Sequence, residues 1–136
     1  MKKVSIFLLL VAFEVVSLDL LNAADMSKVY YVCNCKDDCT CGSISKKPGT
    51  CKCGSKLVEM HLLAIEKDTA ILCRCGAKCT CDLNKADPDK CGCGKTVKKV
   101  NIKGKYICGC GDNCKCGTIS DKPGKCGCGN KMKQVI

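Results

Sequence analysis

Cysteine is the residue type with the greatest chemical potential in this chain, because it accounts for 18 of the 136 residues. A content of about 13% exceeds the level of roughly 8–10% that is typical of proteins held together by sulfur. Thiolates bind soft metal ions such as Zn²⁺, Cu(I) and Cd²⁺, and pairs of thiols can form disulfides. The composition therefore indicates that sulfur chemistry decides both the fold and the function.

The spacing of the cysteines is repeated three times along the chain, as C-x-C-x3-C-x-C-x9-C-x-C. The three sets are Cys33, Cys35, Cys39, Cys41, Cys51 and Cys53; Cys73, Cys75, Cys79, Cys81, Cys91 and Cys93; and Cys108, Cys110, Cys114, Cys116, Cys126 and Cys128. A proline stands three residues before each fifth cysteine, and a glycine follows each sixth one. Such self-similarity predicts a structural repeat, and we call these the first, second and third repeats.

The C-x-C pair favours metal binding, because its two sulfurs can reach one ion or two adjacent ions but are poorly placed to bond each other. Two tetrahedral Zn²⁺ ions need eight sulfur contacts, which six thiolates provide when two of them bridge. Four trigonal Cu(I) ions need twelve contacts, which six bridging thiolates provide. Either cluster carries a net charge of about −2. We predict that all 18 cysteines are ligands, with Zn, Cu(I) and Cd as open alternatives for the metal.

The positive charge of the chain fits this chemistry better than it fits nucleic-acid binding. The chain has 23 basic and 13 acidic side chains, a formal net charge of +10. Many lysines stand between cysteines, where they would offset three clusters that together carry about −6. Nucleic-acid binding is disfavoured, because the chain has no Trp, two Phe and three Tyr with which to stack bases.

Two known families resemble this sequence. Chains with many C-x-C pairs, interleaved lysines and few aromatics resemble metallothioneins, which sequester Zn, Cu or Cd in thiolate clusters. The segments 31–57 and 106–132 also open with Tyr-x-Cys and continue through Lys-Pro-Gly-x-Cys-x-Cys-Gly. They are similar to the small heavy-metal-binding domain of bacterial efflux proteins, whose closing pair is C-x-x-C. Both resemblances imply that the chain handles metal ions.

A disulfide framework is the main alternative. The cysteines are even in number, and the six in each repeat could form three bridges, as in many small secreted domains. The chain would then be a disulfide-stapled interaction module that acts through its basic surface. A mixed repeat, with one four-cysteine metal site and one disulfide, lies between the two.

Catalysis has little support in the sequence, and we predict that the protein is not an enzyme. The single histidine, His61, lies on a predicted strand, where an exposed residue is expected rather than a ligand. Met60 and Met132 are expected to pack against neighbours rather than to bind copper. A metal wrapped in thiolates also has no open position for a substrate.

Short strands are the elements that must position the cysteines. Apolar or β-branched runs occur at residues 29–32, 58–65, 70–72, 97–102 and 106–107, and most are too short for a stable helix. Turns are expected at residues 66–68 and at Lys103-Gly104, which would pair the strand ending at residue 102 with the strand at 106–107. We predict a small, irregular or β fold of three tandem cysteine-rich units at 29–62, 69–102 and 104–136, stabilised by metal or disulfides.

The N-terminal segment reads as a secretory signal. Lys2 and Lys3 precede an apolar run at residues 6–13, and small residues follow at 23–24. Cleavage is expected after Ala23, which makes residues 1–23 a signal peptide and the mature protein secreted or periplasmic. Glu14 interrupts the apolar stretch, which disfavours a permanent membrane anchor. Partners are therefore expected to be metal ions and a metal-transport or metal-acceptor protein.

Overall fold

A computed structural model describes residues 28–35, 40–76, 80–110 and 115–136. The predicted signal peptide and three predicted ligands, Cys39, Cys79 and Cys114, lie outside the described residues. The described ranges contain no α-helix, and hence none that is long and apolar enough to span a bilayer. The predicted fold class, a small chain of short antiparallel strands and irregular segments, is confirmed.

The described residues form eight strands in two antiparallel sheets. These are β1 (Val29–Cys33), β2 (Ile44–Ser45), β3 (Leu57–Glu66), β4 (Thr69–Cys73), β5 (Val97–Asn101), β6 (Tyr106–Cys108), β7 (Ile119–Ser120) and β8 (Met132–Gln134). The first sheet has the order β2-β1-β3-β4-β5 and the second has the order β7-β6-β8. The runs predicted from apolar residues correspond to β1, β3, β4, β5 and β6. Strands β2 and β7 have two residues each, and β8 contains a single apolar residue, Met132, so no apolar run marks these three.

The ten-residue strand β3 joins the first two repeats into one sheet. Its first half pairs with β1, where Leu57 lies opposite Cys33, and its second half pairs with β4, where His61 lies opposite Cys73. The predicted turn between β3 and β4 is confirmed, since Glu66 pairs with Thr69 across the Lys67-Asp68 turn. In the first repeat, β2 pairs with the edge of β1 that faces away from β3. The second repeat has no counterpart of β2 in this sheet, because β3 already occupies the corresponding edge of β4.

The predicted hairpin between residues 97–102 and 106–107 is wrong. A turn does form after β5, where the Lys105 N–H donates to the Ile102 carbonyl (3.0 Å), but β5 pairs with β4 and β6 pairs with β7 and β8. The reason is competition for backbone partners. Gly104 donates to the Val135 carbonyl and Val135 donates to the Lys105 carbonyl, both at 2.8 Å, so the C-terminal segment takes the hydrogen bonds that the hairpin would need.

A single apolar core is shared by all three repeats. Alternate residues of β1, β3, β4 and β5 face it, and β2, β7 and the C-terminal segment add one residue each. Its buried members are Tyr30, Val32, Ile44, Met60, Leu62, Ala70, Leu72, Val100, Ile102, Ile119 and Val135. Met60 is 1% exposed, which confirms that it packs in the core rather than serving as an exposed ligand.

Tyr30 ties the third repeat to the first. Its hydroxyl donates to the Gly117 carbonyl at 2.6 Å and accepts the Ile119 N–H at 2.8 Å. Burial raises the pKa of Tyr30 to about 12, so the hydroxyl stays protonated and able to donate at neutral pH. Both bonds cross between the two sheets, and they fix the start of β7 against β1.

Replacing Tyr30 by phenylalanine is therefore expected to destabilise the protein by about 1–3 kcal/mol, because a buried N–H and a carbonyl lose their partner. Phenylalanine keeps the ring that packs under the Lys46 ammonium, 3.7 Å from the ring centroid. Tyr31→Phe is the matched control, since its hydroxyl makes one exposed bond to Glu59 (2.7 Å). Denaturant unfolding of both variants measures the difference, and equal midpoints would show that the hydroxyl of Tyr30 does not couple the sheets.

Candidate metal centre

The third C-x-C pair of each repeat lies in a tight hairpin. In the first repeat the Cys51 N–H donates to the Ser55 carbonyl (2.8 Å), and the Gly54 N–H donates to the Cys51 carbonyl (2.9 Å). The equivalent bonds of the other repeats join Cys91 to Lys95, Gly94 to Cys91, Cys126 to Asn130 and Gly129 to Cys126, at 2.8–2.9 Å. Three hairpins with the same bonds explain why the spacing of the cysteines recurs without change.

The glycine after the sixth cysteine is required by its backbone conformation. Gly54, Gly94 and Gly129 have φ angles of 85°, 81° and 85°, in the left-handed region that closes a three-residue hairpin loop. A side chain there costs about 1–2 kcal/mol, because Cβ approaches the following carbonyl oxygen.

We expect Gly129→Ala to lower stability by about 1–2 kcal/mol and to weaken the binding of added metal by the cysteines of the third repeat. Gly124→Ala is the matched control, since Gly124 does not have a left-handed φ and a Cβ at that position meets nothing within 4 Å. Thermal unfolding and metal titration of both variants provide the comparison, and an equal loss in Gly124→Ala would contradict the conformational explanation.

The hairpin sulfurs meet those of the first C-x-C pair, which lies at the end of β1, β4 or β6. Pairing brings these parts together, because the first cysteine of each set lies opposite the residue that begins the closing strand: Leu57, Val97 or Met132. The result is three groups whose sulfurs all lie within 4.8 Å of one another. Site 1 comprises Cys33, Cys35, Cys41 and Cys53; site 2 comprises Cys73, Cys75, Cys81, Cys91 and Cys93; and site 3 comprises Cys108, Cys110, Cys126 and Cys128.

Many of the sulfur–sulfur distances match those of a metal–thiolate shell. Four sulfurs bound at about 2.3 Å to a tetrahedral zinc ion lie about 3.8 Å from one another. In site 1 the distance from Cys35 to Cys41 is 3.7 Å and that from Cys33 to Cys53 is 3.4 Å. Sites 2 and 3 contain further pairs at 3.6–4.0 Å. The groups are therefore of the right size to hold a soft metal ion.

Other sulfur pairs lie closer together. Cys110 and Cys128 are 2.6 Å apart, and several other pairs of sites 1, 2 and 3 lie at 2.7–3.1 Å. These distances lie between the roughly 2.05 Å of a disulfide and the roughly 3.8 Å of a metal shell. Cys73 and Cys75 are joined as a disulfide within one C-x-C pair. The clusters can therefore support either metal binding or disulfide formation.

Two of the predicted ligands in the described ranges lie beside these groups rather than within them. The Cys51 sulfur is 3.1 Å from the Ser43 hydroxyl, and the Cys116 sulfur is 3.6 Å from the Thr118 hydroxyl. The fifth cysteines, Cys51, Cys91 and Cys126, are buried, whereas the sixth ones are all exposed. Each site therefore has a buried side and a side open to solvent. His61 is half-buried in β3 opposite Cys73, and none of the three sulfur groups includes it.

Hydrogen bonds make some of these sulfurs better ligands than free thiols. The Ser55 hydroxyl and N–H, followed by the Cys33 and Cys51 thiols, lower the pKa of Cys53 to about 5. Bonds from the backbone of Cys53 and from the Ser43 hydroxyl lower the pKa of Cys51. Burial raises the pKa of Cys33 well above its usual range. Site 1 therefore combines a thiolate at neutral pH with a buried thiol that must lose its proton to bind a metal.

The donors to sulfur are the functional residues that sequence reasoning missed. In the third repeat the Asn130 amide donates to Cys110 at 2.9 Å, and Thr118 lies beside Cys116. Ser43 and Ser55 occupy the same two positions of the first repeat, whereas the second repeat has Leu83 and Lys95 there. Aligning the three repeats position by position would have revealed these polar positions next to the cysteines. The three sites consequently share their sulfurs but differ in the groups that surround them.

The fold and the sites together define a cysteine-rich β protein with several sulfur clusters that fit metal binding. No family model, curated protein or solved structure matches the chain. The resemblances to metallothioneins and to the heavy-metal-binding domain therefore rest on the motifs alone.

Proposed function

We propose that this protein binds and buffers soft metal ions, namely Zn²⁺, Cu(I) or Cd²⁺, in thiolate clusters of up to six cysteines per repeat. The single observation that carries this proposal is the convergence of sulfurs from distant parts of each repeat to within 4.8 Å of one another. Thiolates select these ions over Mg²⁺ and Ca²⁺ because soft ligands prefer soft metals.

The asymmetry of the sites supports a role in buffering and transfer. Each site contains a buried cysteine, namely Cys33, Cys91 or Cys126. The exposed sixth cysteines, Cys53, Cys93 and Cys128, are accessible to a thiol of another molecule. An acceptor thiolate can therefore attack from solvent and take the ion by ligand exchange. A metal-transport or metal-acceptor protein is the partner that this chemistry requires.

The proposal includes the setting in which the protein acts. Residues 1–23 direct export, so the three repeats, at 29–62, 69–102 and 104–136, would work in the periplasm or outside the cell. The protein would be a binding protein rather than an enzyme, because a metal surrounded by thiolates leaves no position for a substrate. Neither a nucleic acid nor a membrane anchor has a part in this function.

A disulfide-stapled secreted interaction module is the second candidate. The disulfide between Cys73 and Cys75 favours it, as do the other sulfur pairs below 3.1 Å. In this case the six cysteines of each repeat would be consumed by bridges, and the basic surface would carry the function.

Intact mass measured under native and denaturing conditions, together with a free-thiol count, distinguishes the two candidates. Bound metals add mass only under native conditions and leave all thiols titratable after denaturation. Three bridges per repeat lower the mass by six hydrogens per repeat under both conditions and leave no free thiol. Titratable thiols without any added mass after reconstitution with Zn²⁺, Cu(I) and Cd²⁺ would contradict both candidates.

A further inference from the structure

Lys98 occupies a strand position at which the alternating pattern predicts an apolar residue. It lies in β5, where it alternates with exposed residues and shares the core-facing side with Val100. Its exposure is 6%, and it is the one charged residue that is buried among the residues that the structure describes. Burying an ammonium group is costly unless negative charge or acceptor groups compensate it.

The side chain of Lys98 reaches site 1, although β5 belongs to the second repeat. Its Nζ donates to the carbonyl of Cys35 at 3.3 Å. Lys98 also lines a cavity of about 170 Å³ together with three of the four site 1 cysteines, Cys33, Cys35 and Cys41. The buried ammonium is therefore held against the backbone of a site 1 cysteine, beside a cavity that this site borders, although Lys98 belongs to another repeat in sequence.

We propose that Lys98 is the counter-charge of site 1, so that the second repeat completes the metal site of the first. This inference rests on the proposed function, because the thiolates of a filled site supply the negative charge. Four thiolates around one Zn²⁺ carry about −2, and an ammonium held in a low-dielectric environment offsets part of that charge. Outer groups of this kind stabilise the bound form without touching the metal.

The neighbouring repeats show that this role is not a general property of the lysines. Lys133 occupies the same position in the third repeat, and it is exposed. The first repeat has Val58 there. Site 1 therefore has a buried cation from another repeat, and its affinity depends on the folding of β5 next to the second repeat's cysteines.

Lys98→Met tests this inference in the full-length, reduced, zinc-loaded protein. Methionine keeps the length and apolar character of the stem while it removes the charge. Lys99→Met is the matched control, because Lys99 is the next residue, is exposed, and pairs with Asp89 at 2.6 Å. A chelator of known affinity is added stepwise. The fraction of the bound zinc that it removes is measured at each chelator concentration.

We expect Lys98→Met to lower the zinc affinity of site 1, which holds about one third of the bound zinc, by roughly ten- to a hundredfold. The zinc affinities of sites 2 and 3 should stay unchanged. Lys99→Met should match the wild type. In a chain that carries Cys33→Ser and Cys35→Ser, Lys98→Met should have no further effect on the remaining zinc, since its target site is already lost.

The zinc bound at sites 2 and 3 separates this role from ordinary packing. If Lys98→Met merely disturbed the shared core, it would weaken zinc binding at all three sites, whereas the loss of a counter-charge affects site 1 alone. An equal weakening of all zinc or an unchanged titration curve would each overturn the inference. The proposed function fails separately, and with it the inference, if the wild type and Lys99→Met bind no zinc.

Discussion

Replacing Cys51 and Cys53 together by serine is expected to lower the metal content of the protein by about one third, because one of the three sites is lost. Cys53 belongs to site 1, and Cys51 anchors the hairpin that carries it. A serine hydroxyl is not ionised at neutral pH and does not replace a thiolate as a ligand for a soft metal. Elemental analysis of the purified protein, normalised to peptide, measures the change.

Two further variants sharpen this test. Lys52→Ser places a serine in the same hairpin, between the two cysteines, and should keep the full metal content because Lys52 is exposed and offers no sulfur. Replacing Cys126 and Cys128, the equivalent pair of site 3, should also remove about one third of the metal, and the two changes together should remove about two thirds. Unchanged metal after the loss of Cys51 and Cys53 would contradict the cluster hypothesis.

Removing the metal is expected to unfold the whole protein in one transition. A free metal concentration a thousandfold above Kd stabilises a folded protein by about 4 kcal/mol per site, and three filled sites contribute about 12 kcal/mol. This is as large as the whole free energy of unfolding of a typical domain, which is about 5–15 kcal/mol. Because all three repeats share the core around Tyr30, Leu72 and Val135, they should lose structure together rather than one at a time.

Circular dichroism and amide exchange during chelation provide the measurement. Acid should also unfold the protein, because protons compete with the metal for the thiolates. Below about pH 5 even Cys53, whose pKa is lowered to about 5, takes up a proton. Adding Zn²⁺ should restore the fold, whereas Mg²⁺ should not. Three separate transitions would contradict the shared core, and a fold that resists the chelator but not a reductant would favour disulfides.

The local elements of this fold could be predicted from the sequence because each depends on neighbouring residues. The runs that became β1, β3 and β4 are β-branched and apolar, and the Lys67-Asp68 turn lies directly between two of them. Neighbouring residues did not reveal that β5 and β6 remain unpaired with each other. Both strands and the turn between them are present, but the C-terminal segment, some 30 residues away, provides the backbone partners.

The candidate site likewise has one part that the sequence predicted and one part that it did not. The recurrent spacing predicted that the three C-x-C pairs of a repeat would meet, and the sulfurs that the structure describes do converge in each repeat, apart from those of Cys51 and Cys116. The groups that donate to them, such as Asn130 on Cys110, depend on the exact path of the hairpin. Residue types alone do not show which serine, threonine or asparagine comes within reach of a sulfur.

By itself the sequence determined the candidate ligand type, the threefold repeat and the recurrence of a glycine after each sixth cysteine, since these follow from the chemistry of single residues and from spacings of a few positions. Only the tertiary structure decided that β3 joins two repeats, that Tyr30 holds the third, and that Lys98 reaches the cysteines of the first. The physical reason is that these contacts join residues dozens of positions apart. They form because the repeats are too small to bury their apolar faces separately and therefore share one core.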